Sequence, residues 1–340
     1  ALDCKNCGYL FPGEVNGHDL SEAAANLCAN PGCGVANPTG ERNCQRCGSP
    51  LPMPNGTLLG ERWRIERQVA VGGFGVVYQA TDIKAGNRPV AIKDMICTDE
   101  KEFATRLTFF RREAEILRSL AHLDIVPRVY DFVENGKSAL LVMEYIEGQD
   151  LLKLLEQNGN APFPVEQVVQ WSSSICDVLE RMHNQKPPLV HRDLKPDNIM
   201  LLADERSIKL IDFGTARDLG RTQKEQLSLK TRVYTEGYAP PEQIVGKPEP
   251  RSDLFALAGT MYHLVTGQAP EGFYTAREIE NRLAETGGKI PVEHRWFFEM
   301  MKTNLSEDVN QRYFTAKEMK ADLDHHAITR ERTCGGCGHV

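Results

Sequence analysis

Three polar side chains in one part of the chain carry the groups that a phosphate-transfer reaction needs. Asp193 offers a carboxylate that can accept the proton of a hydroxyl group. Asn198 and Asp212 offer oxygen ligands of the kind that Mg²⁺ prefers. Four residues separate Asp193 from Asn198, so one loop can direct the first side chain at an acceptor and the second at a metal ion. The pattern predicts phosphoryl transfer from Mg-ATP.

The sequence around these residues resembles the catalytic loop of protein kinases. Residues 191–198 read His-Arg-Asp-Leu-Lys-Pro-Asp-Asn, and residues 212–214 read Asp-Phe-Gly. Either tripeptide alone would be an ordinary turn, but both in this order and at this spacing are specific. The resemblance implies a catalytic base at Asp193 and a lysine at Lys195 that neutralises the transferred phosphoryl group. It also implies Mg²⁺ ligands at Asn198 and Asp212.

A lysine at the end of an apolar strand is a second candidate for contact with phosphate. The run Val-Ala-Ile-Lys ends at Lys93, and such a lysine needs a carboxylate to hold it in place. Apolar residues at a spacing of three or four over residues 103–120 predict an amphipathic helix that would carry this carboxylate. Glu113 is preferred, because its neighbours resemble the corresponding helix of bacterial kinases of the eukaryotic type, and Glu115 is the alternative.

A glycine-bearing turn between two predicted strands could close over the phosphates of a nucleotide. Glycine at Gly72 and Gly75 would let backbone N–H groups approach phosphate oxygens without an intervening Cβ. A hairpin that binds no ligand is the commoner interpretation of such a stretch taken alone. Ala70 also stands where the kinase pattern has its first glycine.

The kinase resemblance implies an adenine site around residues 140–148. Met143 would be the gatekeeper, and Met200 would lie under the adenine ring, although both fit a plain core role equally well. The residues implied to surround ATP are Val69, Gly72, Gly75, Val77, Ala91, Lys93, Met143, Glu144, Ile146 and Met200.

Residues 215–238 lack a hydrophobic period and are rich in Arg, Lys, Thr and Ser, which predicts a mobile activation segment. By resemblance, Thr231 is the preferred phosphorylation site, whereas Thr222 and Ser228 are weaker candidates. Lys195 together with Thr235 resembles the serine/threonine-specific branch of the family.

Three further residues have scaffolding roles by the same resemblance. Glu242 should pair with Arg312, and Asp253 should brace the backbone of the catalytic loop. Pro240 replaces the alanine that usually precedes Pro-Glu at the end of the activation segment.

Eight of the ten cysteines form four close pairs, which is a spacing typical of metal ligands. The pairs are Cys4 with Cys7, Cys28 with Cys33, Cys44 with Cys47, and Cys334 with Cys337. Eight thiolates predict two structural zinc ions, and disulfides are disfavoured because no export signal is recognised. Cys97 and Cys176 have no close partner in the sequence.

Four pairs can combine into two sites in three ways. Proximity favours one site made by Cys28, Cys33, Cys44 and Cys47, which resembles the zinc ribbon ahead of some cyanobacterial serine/threonine kinases. The second site would then join Cys4 and Cys7 to Cys334 and Cys337, within one chain or between two. His18 and His339 are substitute ligands that we regard as surface residues.

The bulk properties limit the range of partners. A net charge of −7 provides no basic field, which disfavours nucleic-acid binding. No apolar run reaches the roughly 18 residues that span a bilayer, so we expect no membrane contact and a cytoplasmic location. Protein substrates are expected, and the sequence leaves a homodimer open.

These features predict an α+β, two-lobed kinase fold with a β-rich N-lobe and a helical C-lobe, preceded by a small zinc ribbon. The expected domains are a cysteine module (1–48), a proline-rich linker (49–59), the kinase domain (60–326) and a C-terminal tail (327–340). We expect a protein serine/threonine kinase that uses Mg-ATP and phosphorylates its own activation segment, with the cysteine module serving regulation or docking. The alternatives are a weakly catalytic pseudokinase and a redox-responsive scaffold that act through the zinc module.

Overall fold

The computed structural model describes residues 28, 33, 35–38, 41, 43–48, 51, 53–72, 75–96, 100–135, 138–218, 235–270 and 292–331. Ten residues named above lie outside the described residues: Cys4, Cys7, His18, Cys97, Thr222, Ser228, Thr231, Cys334, Cys337 and His339. The chain divides into two compact units. The first unit comprises Ala1–Glu115 and Arg128–Tyr145, and the second comprises Ile116–Pro127 and Ile146–Val340.

The first unit is built on an antiparallel sheet of six strands in the order β1-β2-β3-β4-β6-β5. Its strands are β1 Leu58–Leu59, β2 Trp63–Gly72, β3 Gly75–Asp82, β4 Arg88–Ile96, β5 Val129–Asn135 and β6 Ser138–Glu144. Alternate side chains of β3 are buried, as the twofold period of a strand requires. They pack with Trp63, Ile65 and Ile92 into the core on one face of the sheet.

The helix predicted to carry Glu113 is present as α1, Glu100–Ser119. Phe110 and Ala114, four residues apart, are buried on one face of α1. The ring of Phe110 lies 5.8 Å from that of Phe132 on β5. This contact fixes the helix against the sheet of the same unit.

The described part of the predicted linker packs against its neighbours. Leu51 is buried with the cysteines Cys28 and Cys44, and Met53 is buried in the core of the sheet. The backbone N–H of Met53 donates to the hydroxyl of Tyr78 at 3.1 Å. Two residues in the linker therefore join the cysteine cluster to the sheet.

The second unit is mainly helical. Its helices are α2 Leu151–Gln157, α3 Val165–His183, α4 Pro241–Ile244, α5 Pro250–Thr266, α6 Arg295–Asn304 and α7 Ala316–Glu331. Its short strands are β7 Gly148–Asp150, β8 Leu189–Val190, β9 Ile199–Leu202, β10 Ile208–Leu210 and β11 Arg217–Asp218. They form one sheet in the order β10-β9-β7 and one pair of β11 with β8.

Helix α5 is the central element of the second unit. Its residues are buried almost continuously from Ser252 to Leu264, so it must be surrounded on all sides. A β-rich unit and a helical unit confirm the α+β architecture predicted from the sequence. Among the described residues, no helix combines the length and the apolar character needed to cross a membrane.

Candidate active site

Asp253 on α5 holds the loop that follows β8 in place. Asp253, which is fully buried, accepts hydrogen bonds from the backbone N–H groups of His191 at 2.8 Å and Arg192 at 2.9 Å. The same carboxylate contacts Nε2 of His183 at 2.9 Å. Gln243 donates to the carbonyl oxygen of Arg192 at 2.7 Å. These contacts fix the loop, in which Arg192 takes a φ of 74° that non-glycine residues rarely adopt.

Asp193 lies at the centre of a polar cluster within the second unit. Its Oδ1 accepts a hydrogen bond from the Thr235 hydroxyl at 2.9 Å. The Asn198 amide donates to the backbone oxygen of Asp193 at 2.8 Å and to its Oδ2 at 3.1 Å. The Lys195 ammonium lies 3.5 Å from Oδ2 of Asp193 and donates to the Thr235 hydroxyl at 3.1 Å. The Asp193 carboxylate, the Thr235 hydroxyl and the Lys195 ammonium thus lie in contact with one another.

The charge of Lys195 is favoured by its neighbours. Burial lowers the pKa of Lys195, but the charges of Asp193 and Asp197 outweigh burial, so the pKa lies above its ordinary value. The Asp197 carboxylate lies 3.3 Å from the ammonium group. Lys195 is therefore a cation at neutral pH beside the Asp193 carboxylate.

Asp212 is exposed and stands at a strained position directly before a buried phenylalanine. Its φ is 63°, and its Oδ1 accepts a hydrogen bond from the backbone N–H of Gly214 at 3.1 Å. The backbone N–H of Ile211 donates to the carbonyl oxygen of Asn198 at 2.8 Å, which ties the two candidate metal-binding segments together. Phe213 is buried, with its ring 5.0 Å from that of His191.

His191 is a fully buried member of the loop. Burial lowers its pKa, so the imidazole is neutral at physiological pH. The backbone N–H of Asp193 points at its Nδ1 at 3.4 Å, and Thr215 donates to its carbonyl oxygen at 2.9 Å. His191 therefore stabilises the loop as a buried, neutral side chain.

Glu242 and Arg312 form a buried ion pair between α4 and the segment before α7. The guanidinium donates to the two carboxylate oxygens at 2.7 and 3.1 Å. Ser252 donates to the same carboxylate at 2.7 Å. The pair therefore attaches α4, which follows Thr235 in the chain, to the segment before α7.

Tyr238 and His263 form a contact that the sequence analysis missed. The Tyr238 hydroxyl lies 2.6 Å from Nδ1 of His263, and burial lowers the pKa of His263 to about 4. The neutral imidazole therefore accepts the hydrogen bond. The backbone N–H groups of Tyr238 and Ala239 both donate to the carbonyl oxygen of Thr235 at 3.2 Å, so the contact anchors the residue that meets Asp193.

In the first unit, Lys93 and Glu113 form a bidentate ion pair. The ammonium of Lys93 donates to the two Glu113 oxygens at 2.7 and 2.9 Å. Their side chains are 9% and 4% exposed, so water screens the pair little. Glu115 is exposed.

The two glycines of the predicted phosphate loop end β2 and begin β3, where Gly72 pairs with Gly75. Gly75 has a φ of 139°, and a Cβ on it would lie 2.0 Å from the carbonyl oxygen of Asp94. The close approach of β4 therefore requires glycine at this position, independently of any bound phosphate.

The other residues implied to surround ATP divide between the two units. Val69 on β2 is 44% exposed, Val77 on β3 is half-buried and Ala91 on β4 is buried. Met143 and Glu144 end β6 and are half-buried. The half-buried residues Ile146 and Met200, the latter on β9, belong to the second unit.

Four cysteines of the first unit bring their sulfur atoms together. The sulfurs of Cys28, Cys33, Cys44 and Cys47 all lie within 4.8 Å of one another. The Cys28–Cys47 and Cys33–Cys44 sulfur separations are 3.5 and 3.6 Å, far longer than the roughly 2.05 Å of a disulfide bond. Four thiolates about 2.3 Å from a tetrahedral zinc ion would be about 3.8 Å apart. The donor set and its spacing fit zinc.

The backbone around these sulfurs supports thiolate ligands. The N–H group of Cys47, and with it that of Arg46, hydrogen-bonds the Cys44 sulfur and lowers the pKa of the Cys44 thiol. The N–H group of Val35 points in the same way at the Cys33 sulfur and lowers its pKa, but burial and the thiols of Cys47 and Cys44 outweigh this contact, so the pKa of Cys33 lies above its ordinary value. Gly48 follows the second turn with a φ of 71°, where glycine is unstrained.

Sequence comparison agrees with this geometry. The family model described as protein kinase domain matches residues 63–322. Serine/threonine-protein kinase B of Synechocystis sp. is 30% identical over 312 residues, which cover 88% of this chain and 51% of the relative. Serine/threonine-protein kinase PknL of Mycobacterium tuberculosis is 33% identical over 282 residues, which cover 81% and 67%.

A probable serine/threonine-protein kinase of Clostridium acetobutylicum is 35% identical over 219 residues, which cover 63% of this chain and 31% of the relative. The chain thus spans about half the length of the Synechocystis relative and less of the clostridial one. The family match covers most of the 340 residues and contains the Asp193 cluster and the Lys93–Glu113 pair. The chain belongs to the protein kinase domain family.

Proposed function

We propose that the chain is a protein serine/threonine kinase that transfers the γ-phosphate of Mg-ATP to hydroxyl groups of proteins. The observation that carries this proposal is the hydrogen bond from the Thr235 hydroxyl to Oδ1 of Asp193. A substrate hydroxyl would have to present its proton to the same carboxylate in the same way. The relatives, which are serine/threonine-protein kinases by name, support the serine/threonine class.

In the proposed reaction the substrate hydroxyl oxygen bonds to the γ-phosphorus while the bond from that phosphorus to ADP breaks. Asp193 takes the hydroxyl proton, and Lys195 neutralises charge on the transferred group. Mg²⁺ would supply charge neutralisation at the phosphates, and Asn198 and Asp212 carry the oxygen atoms suited to hold it. Lys93, fixed by Glu113, would hold the α- and β-phosphates.

We propose the remaining ATP-binding and regulatory roles on the sequence resemblance. The adenine site would use the strand ending in Met143 and Glu144. Thr231 would be phosphorylated by the kinase itself, and a phosphate there would pair with Arg192 beside the catalytic base. The domain boundaries at residues 48, 59 and 326 are part of the same proposal.

For the cysteine module we propose structural zinc bound by the four clustered thiolates. Their sulfur spacing and the N–H groups directed at Cys33 and Cys44 support this. A second zinc at the other two cysteine pairs is proposed from the sequence alone. A reducing cytoplasm would keep these thiolates available for metal.

The proposal is tested by transfer of ³²P from labelled ATP to a generic protein substrate, with Mg²⁺ present. Asp193→Asn should lower the rate at least about 100-fold, because a general base contributes about 10²–10⁴. Asp204→Asn is the matched control, since Asp204 lies in an exposed turn after β9. A wild-type rate no higher than that of Asp193→Asn would favour the pseudokinase alternative.

A further inference from the structure

A buried amide side chain lies between the two cysteine turns. Asn37 is 6% exposed, and its Nδ2 donates to the carbonyl oxygen of Val35 at 2.9 Å. Its Oδ1 accepts a hydrogen bond from the backbone N–H of Gln45 at 2.9 Å. Val35 follows the ligand Cys33, and Gln45 follows the ligand Cys44. One side chain therefore connects the turn of the first cysteine pair to the turn of the second.

The same carbonyl oxygen of Val35 also accepts the backbone N–H of Cys28 at 2.9 Å. Asn37 thus contacts an atom that orients the remaining cysteine of the first pair. Val35 therefore contacts both cysteines of the first pair, because its carbonyl oxygen accepts the N–H of Cys28 and its own N–H is directed at the Cys33 sulfur. We expect that loss of the Asn37 contacts frees this first turn to move relative to the second.

The Asn37 side chain also lies beside the Cys44 sulfur and lowers the pKa of that thiol. Its Nδ2 and its Oδ1 are both hydrogen-bonded, through the contacts to Val35 and Gln45. Donors aimed at a metal-bound thiolate stabilise its negative charge and fix its orientation. A buried amide is costly unless its polar atoms are bonded, and both Nδ2 and Oδ1 of Asn37 are bonded to the cysteine turns.

We propose that Asn37 is a positioning residue of the metal site, which fixes the two cysteine turns against each other. This inference rests on the proposed four-thiolate zinc site. It assigns to Asn37 control over zinc affinity through the relative placement of the two turns.

The test uses the full chain carrying Cys334→Ser, so that the other cysteine pairs cannot assemble a second four-thiolate site. Zinc affinity is measured by competition with a chelator of known affinity under reducing conditions. Asn37→Ala should bind zinc about 10–100-fold more weakly, the usual effect of losing a partner that orients metal ligands. Gln45→Ala is the matched control, because it removes an exposed amide from the same turn and keeps the backbone N–H that Asn37 uses. Its affinity should change less than about threefold.

A second measurement separates positioning from general destabilisation of the module. The cobalt-substituted protein gives a sulfur-to-metal charge-transfer band that reports on the thiolates directly. Asn37→Asp keeps the acceptor for Gln45, loses the donor to Val35 and places a carboxylate beside the Cys44 sulfur, so it should move this band to longer wavelength. The band of Gln45→Ala should stay where it is in the wild type.

Failure of the proposed metal site and failure of the proposed role of Asn37 give different results. Absence of zinc or cobalt binding by the Cys334→Ser chain itself would refute the proposed metal site. Metal binding by that chain with an unchanged affinity in Asn37→Ala, or an unchanged band in Asn37→Asp, would overturn the role of Asn37 and leave the metal site standing.

Discussion

Glu242→Ala should destabilise the helical unit by about 3 kcal/mol, because it leaves a buried guanidinium without its counter-charge. The Arg312 side chain is 0% exposed and that of Glu242 is 18% exposed. Removal of one partner of a buried ion pair costs about 3–5 kcal/mol. The lower end applies here, since water can reach the vacated position. Arg312 also keeps hydrogen bonds to the carbonyl oxygens of Ser306 at 2.9 Å and Arg251 at 3.2 Å.

Thermal unfolding of the variant measures this cost. For a unit of this size each kcal/mol lowers Tm by about 2–4 °C, so a fall of about 6–12 °C is expected. Replacement of both partners, Glu242→Leu with Arg312→Met, should recover at least about half of the loss, because no buried charge is then left alone. Glu307→Ala removes an exposed carboxylate nearby and should change stability by less than about 0.5 kcal/mol.

Two results would refute this reasoning. The first is a cost below about 1 kcal/mol for Glu242→Ala, which would mean that solvent compensates the guanidinium. The second is a double variant as unstable as the sum of the two single variants. Additivity would show that the two groups do not interact.

Three other predictions concern separate parts of the molecule. The pKa of His263 lies at about 4, below its unfolded value near 6.5, so stability should fall by at most about 3 kcal/mol as the pH drops between these values. His263→Gln should flatten that slope in acid titrations, and an unchanged slope would contradict the assignment. Gly75→Ala should destabilise the sheet by about 3 kcal/mol or more in urea unfolding, because its Cβ would strike the Asp94 carbonyl oxygen. Gly86→Ala, with a φ of 70° and open space around it, should cost only about 1–2 kcal/mol, and equal costs would remove the steric argument. Thr235→Val should slow phosphate transfer about 10- to 100-fold, whereas Thr235→Ser should retain most of it, since only the hydroxyl meets the carboxylate. Equal rates in these two variants would exclude a role for that hydroxyl.

The fold class and the contacts within short motifs could be predicted from the sequence. Asp193 and Asn198 lie in one short loop, so their spacing in the sequence already indicates that their side chains are close. Helical periodicity predicts the helix that carries Glu113 to Lys93. The spacing of Cys28 to Cys47 likewise reflects two local turns. In each case the geometry depends on residues that are close in sequence or on one strand and one helix.

The contacts that the sequence did not reveal join residues far apart in the chain without a periodic signal. Tyr238 and His263 are separated by 25 residues, and His183 and Asp253 by 70. A buried histidine looks the same in a sequence whether it accepts a hydrogen bond or only fills space. The sequence suggests that Gly75 is needed for the approach of phosphate, whereas the structure shows that the carbonyl oxygen of Asp94 requires it. The position of Asp94 depends on the register between β3 and β4, which the sequence pattern does not reveal.

The most direct test of the central claim identifies which residues receive phosphate. The full chain and a protein substrate are incubated with Mg²⁺ and ATP labelled with ¹⁸O in the γ-phosphate, and mass spectrometry locates the label. We expect labelled phosphate on serine and threonine only, with the signal lost in Asp193→Asn and kept in Asp204→Asn. Label on tyrosine, or the same label in Asp193→Asn as in the wild type, would contradict the proposed function.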